Sequence, residues 1–368
     1  MYKKLVTIFA LRSEAEISGE NSSLDYLDFL LEGSELKLVK WSRAGRTTLT
    51  WMANFCRLLD LYRVSSSQVG DVLVVKLPTA SQLPWAVVLT WRYKKRLIFW
   101  IDGLNWSPLP LGMTVRLLLR EPVLLLSRVV LNNRLWVRLV RRMDFELIVS
   151  SETQKKSLAR LISSTSRIYN IPNGTNIGHA TFAKEDELRM DDTSGVFNIG
   201  YIGHTYMTKG VGDLIAALSI ARRHPYPFSS EFAFSSLGSR SVVMKAKACG
   251  YAVHGAVNKV DFYNRISLLV IPYWNDWGTN VYPNVLLESM ECGVPVVTTD
   301  SPIARELFGS NGLAVFIPPN NPEVLARTLV GILSNEISLP TAVSLKNNFQ
   351  SRFSCSILRG QWLSVLNR

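Results

Sequence analysis

Short apolar runs separated by amphipathic stretches recur along the chain, and they predict an alternation of buried strands and helices. Val, Ile, Leu and Phe fill the runs, while the stretches between them repeat apolar positions at helical spacing. The predicted strands cover residues 5–11, 71–76, 97–101, 145–150 and 196–202. One predicted helix follows Ser18-Gly19, and another covers residues 211–220. Residues 181–195 are polar and lack any period, so they are interpreted as a linker between two α/β domains.

The stretch from Gly278 to Asp300 carries the sharpest local pattern. A small polar loop leads to Pro283, which suits the first helical position because proline has no N–H to lose. An apolar stripe at helical spacing then predicts a short helix, which Gly293 ends as a left-handed cap. The β-branched run at 294–297 predicts a buried parallel strand. The pattern therefore predicts a loop, a helix N-terminus, a short helix and a strand.

This order of elements indicates a candidate nucleotide site. The free N–H groups and the partial positive charge at a helix N-terminus form a natural seat for phosphate. Glu288 lies in the second turn of the predicted helix, and helical side chains lean toward the N-terminus. Its carboxylate can therefore accept hydrogen bonds from ribose hydroxyls beside that seat. On spacing alone, the alternative is an ordinary βα unit with a surface glutamate.

The residues Pro-Asn-Val-Leu-Leu-Glu-Ser-Met-Glu-Cys-Gly-Val-Pro-Val-Val, starting at Pro283, resemble the signature of glycosyltransferase family 4, whose members have the GT-B fold. The family carries a glutamate, seven further residues and a second glutamate. Glu288 matches the second acid, whereas Asn280 takes the place of the first, which in the family faces the donor sugar. The donor-binding residues that the resemblance implies here are Gly278, Thr279, Asn280, Val281, Asn284 and Glu288.

A second motif follows the predicted strand at 196–202. The chain reads Gly203-His204-Thr205-Tyr206-Met207-Thr208-Lys209-Gly210, where the family has Gly-Arg and, five residues after the arginine, Lys-Gly. In the family the two cations neutralise the departing diphosphate, so the resemblance assigns Gly203, His204 and Lys209 to donor binding. Lys209 matches the lysine, and His204 replaces the arginine with a weaker cation, because an unperturbed imidazole is mostly neutral at pH 7.

The resemblance is fainter in the first half of the chain. Asp102 follows the predicted strand at 97–101, at the place where the family has a histidine that faces the donor sugar. Asp102 is therefore a candidate general base or sugar ligand, with a loop-capping aspartate as the alternative. Gly19 follows the first strand, where a glycine loop lies over the cleft in GT-B enzymes. A plain strand-to-helix turn is the alternative there.

The resemblance implies a GT-B fold, in which two Rossmann-like domains face each other across a cleft. We expect an acceptor-side domain over 1–178, a nucleotide-sugar-binding domain over 196–345, and a C-terminal helix over 346–368 that crosses back to the first domain. The implied reaction moves a sugar from a nucleotide-diphosphate sugar to an acceptor hydroxyl, with retention of anomeric configuration. Asp102, Lys209 and Glu288 are the expected catalytic residues. If Asp102 acts as a base, single-step inversion is the open alternative.

Composition changes this interpretation mainly through charge and cysteine usage. The 368 residues carry a formal net charge of +12, which indicates an anionic partner or surface. The four cysteines are far apart and form no CxxC pair, so a reducing cytoplasm is expected. No uncharged run reaches the ~18 residues of a membrane span, and the apolar run at 5–11 is interpreted as a strand, not a signal peptide. No cofactor or metal is expected, because the family uses no metal and the sequence has no carboxylate cluster that suggests one.

Residues 116–142 form the most basic segment of the chain. Seven arginines from Arg116 to Arg142 alternate with Leu, Val and Trp136, and Glu121 is the one acid among them. A basic amphipathic helix can lie on an anionic membrane surface, whereas the alternative is a core-facing helix with solvated arginines. We therefore expect a peripheral protein on the inner face of the cell membrane, acting on a lipid-linked or glycan acceptor in bacterial cell-surface polysaccharide or glycolipid assembly.

Two rival functions stay open. One is a GT-B sugar transferase that acts on nucleic acid, although nucleic acid is the less expected partner. The other is a non-catalytic GT-B partner subunit, which the residues at 102, 204 and 280 would suit.

Overall fold

The computed structural model describes residues 5–10, 19–41, 69–77, 93, 95–101, 145–162, 167–175, 177, 196–234, 239–274, 282–309 and 312–368. These residues form two compact units. The first takes the described part of Met1–Asn173 together with Cys355–Arg368, and the second takes the described parts of Gly174–Asp276 and Tyr282–Ser354.

The first unit is built on a parallel sheet. Its strands are β1 (Leu5–Ala10), β2 (Lys37–Trp41), β3 (Val72–Leu77), β4 (Arg96–Ile101), β5 (Glu146–Val149) and β6 (Ile168–Asn170), and its described helices are α1 (Gly19–Leu31), α2 (Glu152–Ile162) and α10 (Cys355–Leu366). Every described pairing is parallel, in the order β2-β1-β3-β4-β5-β6. Strands β3 and β4 are buried almost throughout, as both faces of a covered parallel sheet require.

The C-terminal helix α10 belongs to the core of this first unit. The Trp362 ring meets the Trp100 ring of β4 edge to face, with the ring centroids 4.9 Å apart. Arg96, at the start of β4, donates hydrogen bonds to both carboxylate oxygens of Glu146 and to the carbonyl oxygen of Val365 at 2.7 Å. A charged fork and an aromatic pair thus anchor the last helix to this sheet, although more than 250 residues separate it from Arg96 along the chain.

The second unit repeats the plan with a second parallel sheet. Its strands are β7 (Phe197–Gly203), β8 (Phe228–Phe234), β9 (Ala252–His254), β10 (Leu268–Ile271), β11 (Val296–Thr299) and β12 (Val315–Ile317). Its described helices are α3 (Val211–Ala221), α4 (Arg240–Ala248), α5 (Lys259–Arg265), α6 (Asn284–Cys292), α7 (Pro302–Phe308), α8 (Pro322–Leu333) and α9 (Ala342–Phe353). The strand order is β12-β11-β10-β7-β8-β9.

This order places a topological switch point between β7 and β10. From β7 the chain builds β8 and β9 on one side, and then it crosses to build β10, β11 and β12 on the other. The connections that leave neighbouring strands β7 and β10 therefore diverge, and they leave a crevice at the carboxyl ends of those strands. Open α/β sheets bind their ligands at such a point.

The local pattern around α6 is confirmed, except that the helix and the strand each begin later in the chain than expected. Pro283 precedes the helix as its N-cap and is not its first residue, since α6 begins at Asn284. Gly293 adopts the expected left-handed conformation at φ 68°. The strand starts at Val296 and not at residue 294, because the Val294 N–H donates to the Ser289 carbonyl at 2.7 Å and so completes the helix cap. Among the residues described, no helix combines the length and apolar character needed to cross a membrane.

Candidate functional site

The loop that leaves β7 is shaped by two glycines. Gly203 ends the strand at φ +151°, and Gly210 follows the 3-10 turn Met207–Lys209 at φ +69°. A Cβ on Gly210 would lie 1.8 Å from the carbonyl oxygen of Pro272, so only glycine fits there. The Tyr201 hydroxyl donates to the carbonyl oxygen of His204 at 2.7 Å and holds the middle of the loop. The sequence thus forces a tight turn over the end of the sheet.

The loop after β10 packs against this turn. The backbone N–H of Trp274 donates to the Thr208 carbonyl at 3.0 Å, and its indole N–H donates to the Asp213 carboxylate at 2.6 Å. The Thr299 hydroxyl donates to the Tyr273 carbonyl at 2.5 Å from the neighbouring strand β11. The two loops at the switch point are therefore joined by backbone and side-chain hydrogen bonds.

Lys209 is the cation that this joined pair of loops positions. Its side chain lies against the ring of Tyr273, with Nζ 4.7 Å from the ring centroid, and the residue is 9% exposed. Burial disfavours the ammonium form and lowers the pKa of Lys209 from its ordinary value to about 7. A neighbouring anion would favour the charged form of this lysine.

Glu288 is the carboxylate of the same edge, in the second turn of α6. Its side chain is 3% exposed, so it is a buried acid and not the surface residue of an ordinary βα unit. The Lys259 ammonium donates to Oε1, and the Tyr263 hydroxyl donates to Oε2 at 3.0 Å. The Tyr263 hydroxyl also lies 3.1 Å from the carbonyl oxygen of Val285 in the first turn of α6. Burial in turn raises the pKa of Tyr263, which stays a neutral donor.

Sequence reasoning missed both partners of Glu288. Lys259 and Tyr263 are four residues apart on α5, which places them on one face of that helix. That spacing was readable in the sequence, but nothing local showed which face of which helix lay opposite.

The structure describes some of the expected site residues, and most of these lie close to the ends of β7 and β10. Gly203, His204, Lys209, Asn284 and Glu288 all lie on or next to the elements that follow β7 and β10. Gly19 is the first residue of α1 in the first unit. Several expectations lie outside the described residues, namely Asp102, Gly278, Thr279, Asn280, Val281 and the basic segment Arg116–Arg142. Their assigned roles stay predictions.

The side chains that the structure describes include no group of three His, Cys, Asp or Glu that could hold a metal ion. The expectation that the reaction needs no metal stays a prediction.

Comparison with known proteins bears on the second unit directly. Residues 196–335 match the family model described as "Glycosyl transferases group 1". No curated protein matches the chain significantly in sequence. The matched segment contains β7 to β12 and both Lys209 and Glu288.

Solved structures resemble the whole chain. HepE from Anabaena, determined in complex with UDP and glucose, is 14% identical over 99% of this chain and 99% of its own, with a TM-score of 0.68. Sucrose-phosphate synthase from Thermosynechococcus elongatus is 12% identical over 99% of this chain and 98% of its own, with a TM-score of 0.70. The lipopolysaccharide outer core galactosyltransferase WaaB is 11% identical over 99% of each chain, with a TM-score of 0.60.

Fold and domain together define the class of protein. The structural likeness establishes the GT-B fold expected from the sequence, and the second unit is a group 1 glycosyltransferase domain. The chain thus carries a glycosyltransferase domain, which confirms the class that the motifs at 203–210 and 283–297 indicated.

Proposed function

We propose that this glycosyltransferase moves a sugar from a nucleotide-diphosphate sugar to an acceptor hydroxyl. The observation that carries the proposal is that a buried lysine and a buried carboxylate follow the two neighbouring strands at one switch point. Lys209 follows β7, Glu288 follows β10, and both lie in the matched domain. A nucleotide-sugar offers an anionic diphosphate to the first and ribose hydroxyls to the second.

The chemical difficulty of the reaction is charge separation. The bond between the anomeric carbon and the diphosphate oxygen breaks, that oxygen keeps the electron pair, and the acceptor oxygen forms the new bond. Lys209 would stabilise the departing diphosphate, and such preorganised electrostatic stabilisation is usually worth several kcal/mol. His204 would add a weaker cation in the same loop. Asp102 and Asn280 would face the sugar, and the departing diphosphate oxygen would take the proton of the acceptor hydroxyl.

Known glycosyltransferases of the same fold support a nucleotide-sugar donor. HepE was crystallised with UDP-glucose, at 15% identity and a TM-score of 0.67. Because WaaB is a lipopolysaccharide outer core galactosyltransferase of the same fold, we extend the proposal to bacterial cell-surface glycan assembly. The basic segment 116–142 would hold the protein at the inner face of the membrane, beside a lipid-linked acceptor. The reaction would be retaining, as the family resemblance implies, and would need no metal.

Calorimetric titration of the full chain with UDP, GDP, ADP and CMP tests the donor half of the proposal. A ligand that binds the folded state alone also raises the apparent stability, by about 2.7 kcal/mol at 100 times its Kd. We expect one nucleotide diphosphate to bind and to stabilise the protein, and its sugar conjugates to be consumed when acceptor is added. Failure of UDP, GDP and ADP to bind would overturn the proposal, even if CMP, which has no diphosphate, does bind.

Turnover separates the enzyme from the non-catalytic rival. The conjugates of the nucleotide that binds are incubated with detergent-extracted bacterial membranes as a source of lipid-linked acceptor, and released nucleotide is measured. Tight nucleotide binding without release from any conjugate would favour a partner subunit, whose residues at 102, 204 and 280 depart from the family pattern.

A further inference from the structure

Lys259 is a second cation at this edge of the sheet, and neither the motifs nor the proposed reaction assigns it a role. It is the first residue of α5, where the Asn258 side chain accepts hydrogen bonds from the Val260 N–H at 3.0 Å and the Asp261 N–H at 3.4 Å. This cap fixes the backbone of Lys259. The lysine is therefore presented from a defined helix end and not from a free loop.

Lys259 is an accessible side chain that is bonded to a buried acid. Its side chain is 41% exposed, whereas that of its partner Glu288 is 3% exposed. An ammonium carries three N–H donors, and one of them is directed at Glu288 Oε1. Donor capacity thus remains on the accessible side of the pair, right beside a carboxylate that still has acceptor capacity.

The Tyr263 hydroxyl fixes the other half of the pair. It contacts both Glu288 Oε2 and the Val285 carbonyl, so it holds the carboxylate through the oxygen that Lys259 does not contact. The acceptor and the donor are therefore held at adjacent positions. Adjacent acceptor and donor groups suit a vicinal diol, in which one hydroxyl donates its hydrogen and its neighbour accepts one.

We propose that Lys259 and Glu288 together bind the two ribose hydroxyls of the donor nucleotide, so that Lys259 is a specificity-determining residue for ribonucleotides. This inference rests on the proposed function. One hydroxyl donates to the Glu288 carboxylate, and the oxygen of the other accepts from the Lys259 ammonium. The competing account is that Lys259 only neutralises a buried carboxylate, which would otherwise carry an uncompensated charge.

The two accounts differ in how the protein discriminates among nucleotides. UDP, 2′-deoxy-UDP and 3′-deoxy-UDP are titrated calorimetrically into the full chain, or the matching guanosine or adenosine compounds if the nucleotide panel assigns another base. In the unmodified protein, loss of either hydroxyl should weaken binding roughly 10- to 100-fold, the range for a hydrogen bond to a charged group. Less than a threefold loss for either compound would overturn the inference without any variant.

Variants of the pair then assign each hydroxyl. Lys259→Met should bind one of the two deoxynucleotides as tightly as UDP and should still discriminate against the other. Glu288→Gln should lose the discrimination that Lys259→Met keeps, and keep the one that Lys259→Met loses. Lys259→Arg should retain both. Lys247→Met, an exposed lysine of α4 in the same unit, is the matched control and should leave all three affinities unchanged.

A role in neutralisation alone would give a different result. Lys259→Met would then weaken all three nucleotides by the same factor, which would overturn the inference and leave the proposed function intact. If the unmodified protein binds none of the nucleotides, the proposed function fails, and the inference falls with it.

Discussion

The ammonium nitrogen of Lys209 lies 4.7 Å from the centre of the Tyr273 ring, and this contact joins the loop after β7 to the loop after β10. An aromatic face attracts a cation, but it does not hydrate one as water does. Tyr273 therefore holds the lysine in place while leaving its charge poorly solvated. The contact explains how the switch point can present a cation that responds strongly to a bound anion.

Removal of the Lys209 side-chain charge should abolish most activity while the fold persists. In Lys209→Met the apolar stem that lies on Tyr273 is largely kept, but the diphosphate loses its cation. We expect turnover of the nucleotide-sugar to fall about 100- to 1,000-fold, the range for loss of one preorganised electrostatic contact. Turnover by Lys247→Met should match the unmodified protein. A normal rate in Lys209→Met would show that the diphosphate binds elsewhere.

Nucleotide binding should take up a proton above neutral pH. The pKa of Lys209 is lowered to about 7 by burial, so the lysine of the empty site is mostly neutral at pH 8, whereas an anionic diphosphate favours its charged form. Affinity should therefore fall as pH rises above 7, by up to about tenfold per unit. Calorimetry in two buffers of different ionisation enthalpy measures the proton directly.

The same lysine affects stability in a defined direction. Its folded-state pKa lies below its unfolded value of 10.5, so the unfolded chain binds more protons between about pH 7 and that value. The contribution of Lys209 to the free energy of unfolding should therefore rise with pH across this window. Lys209→Met does not bury an ammonium, so denaturant titrations should show the unmodified protein gaining stability relative to this variant between pH 7 and pH 9. Identical proton uptake in Lys209→Met and the unmodified protein would assign the binding-linked proton to another group.

Glu288→Ala should weaken nucleotide binding by roughly 1.5–3 kcal/mol, the range for a hydrogen bond to a charged group. The change also leaves Lys259 and Tyr263 without their shared acceptor, so some loss of stability is expected. Glu288→Gln keeps the side-chain shape, so it separates the loss of nucleotide affinity from the loss of stability. Glu323→Gln, at an exposed position in the first turn of α8, is the control. Calorimetric affinities that stay unchanged in both Glu288 variants would exclude the ribose role.

Attachment to anionic membranes is a prediction from the sequence of residues 116–142. Each basic residue near an anionic surface contributes about 1 kcal/mol, so several together give reversible, salt-sensitive binding. The protein should float with anionic vesicles at low salt, and much less with neutral vesicles or at high salt. Replacement of Arg134, Arg138, Arg141 and Arg142 by Gln should abolish flotation and leave nucleotide binding intact.

The nucleic-acid rival makes the opposite prediction in the same assay. If the unmodified protein does not float with anionic vesicles at low salt but binds DNA there, the basic segment serves a nucleic acid and not a membrane. Such binding would weaken steeply as salt rises, because bound counterions are released from the phosphates.

The sequence by itself determined the elements and the class. Pro283 and Gly293 delimit α6 through their own backbone preferences, and β-branched runs mark the parallel strands, since these preferences act within a few residues. The motif around Lys209 was recognised by its resemblance to the family's Gly-Arg and Lys-Gly pattern, and in the structure Gly210 has the positive φ that favours glycine.

Only the tertiary structure decided the electrostatic state of the site. Glu288 is buried beneath Lys259 and Tyr263, which lie 29 and 25 residues away in sequence and meet it only because α5 and α6 are packed together. The lowered pKa of Lys209 depends on its burial, and its contact with the ring of Tyr273 joins residues 64 positions apart. Burial and charge pairing depend on distances in space between distant parts of the chain, so the side-chain pattern could name the lysine and the acid but not their surroundings.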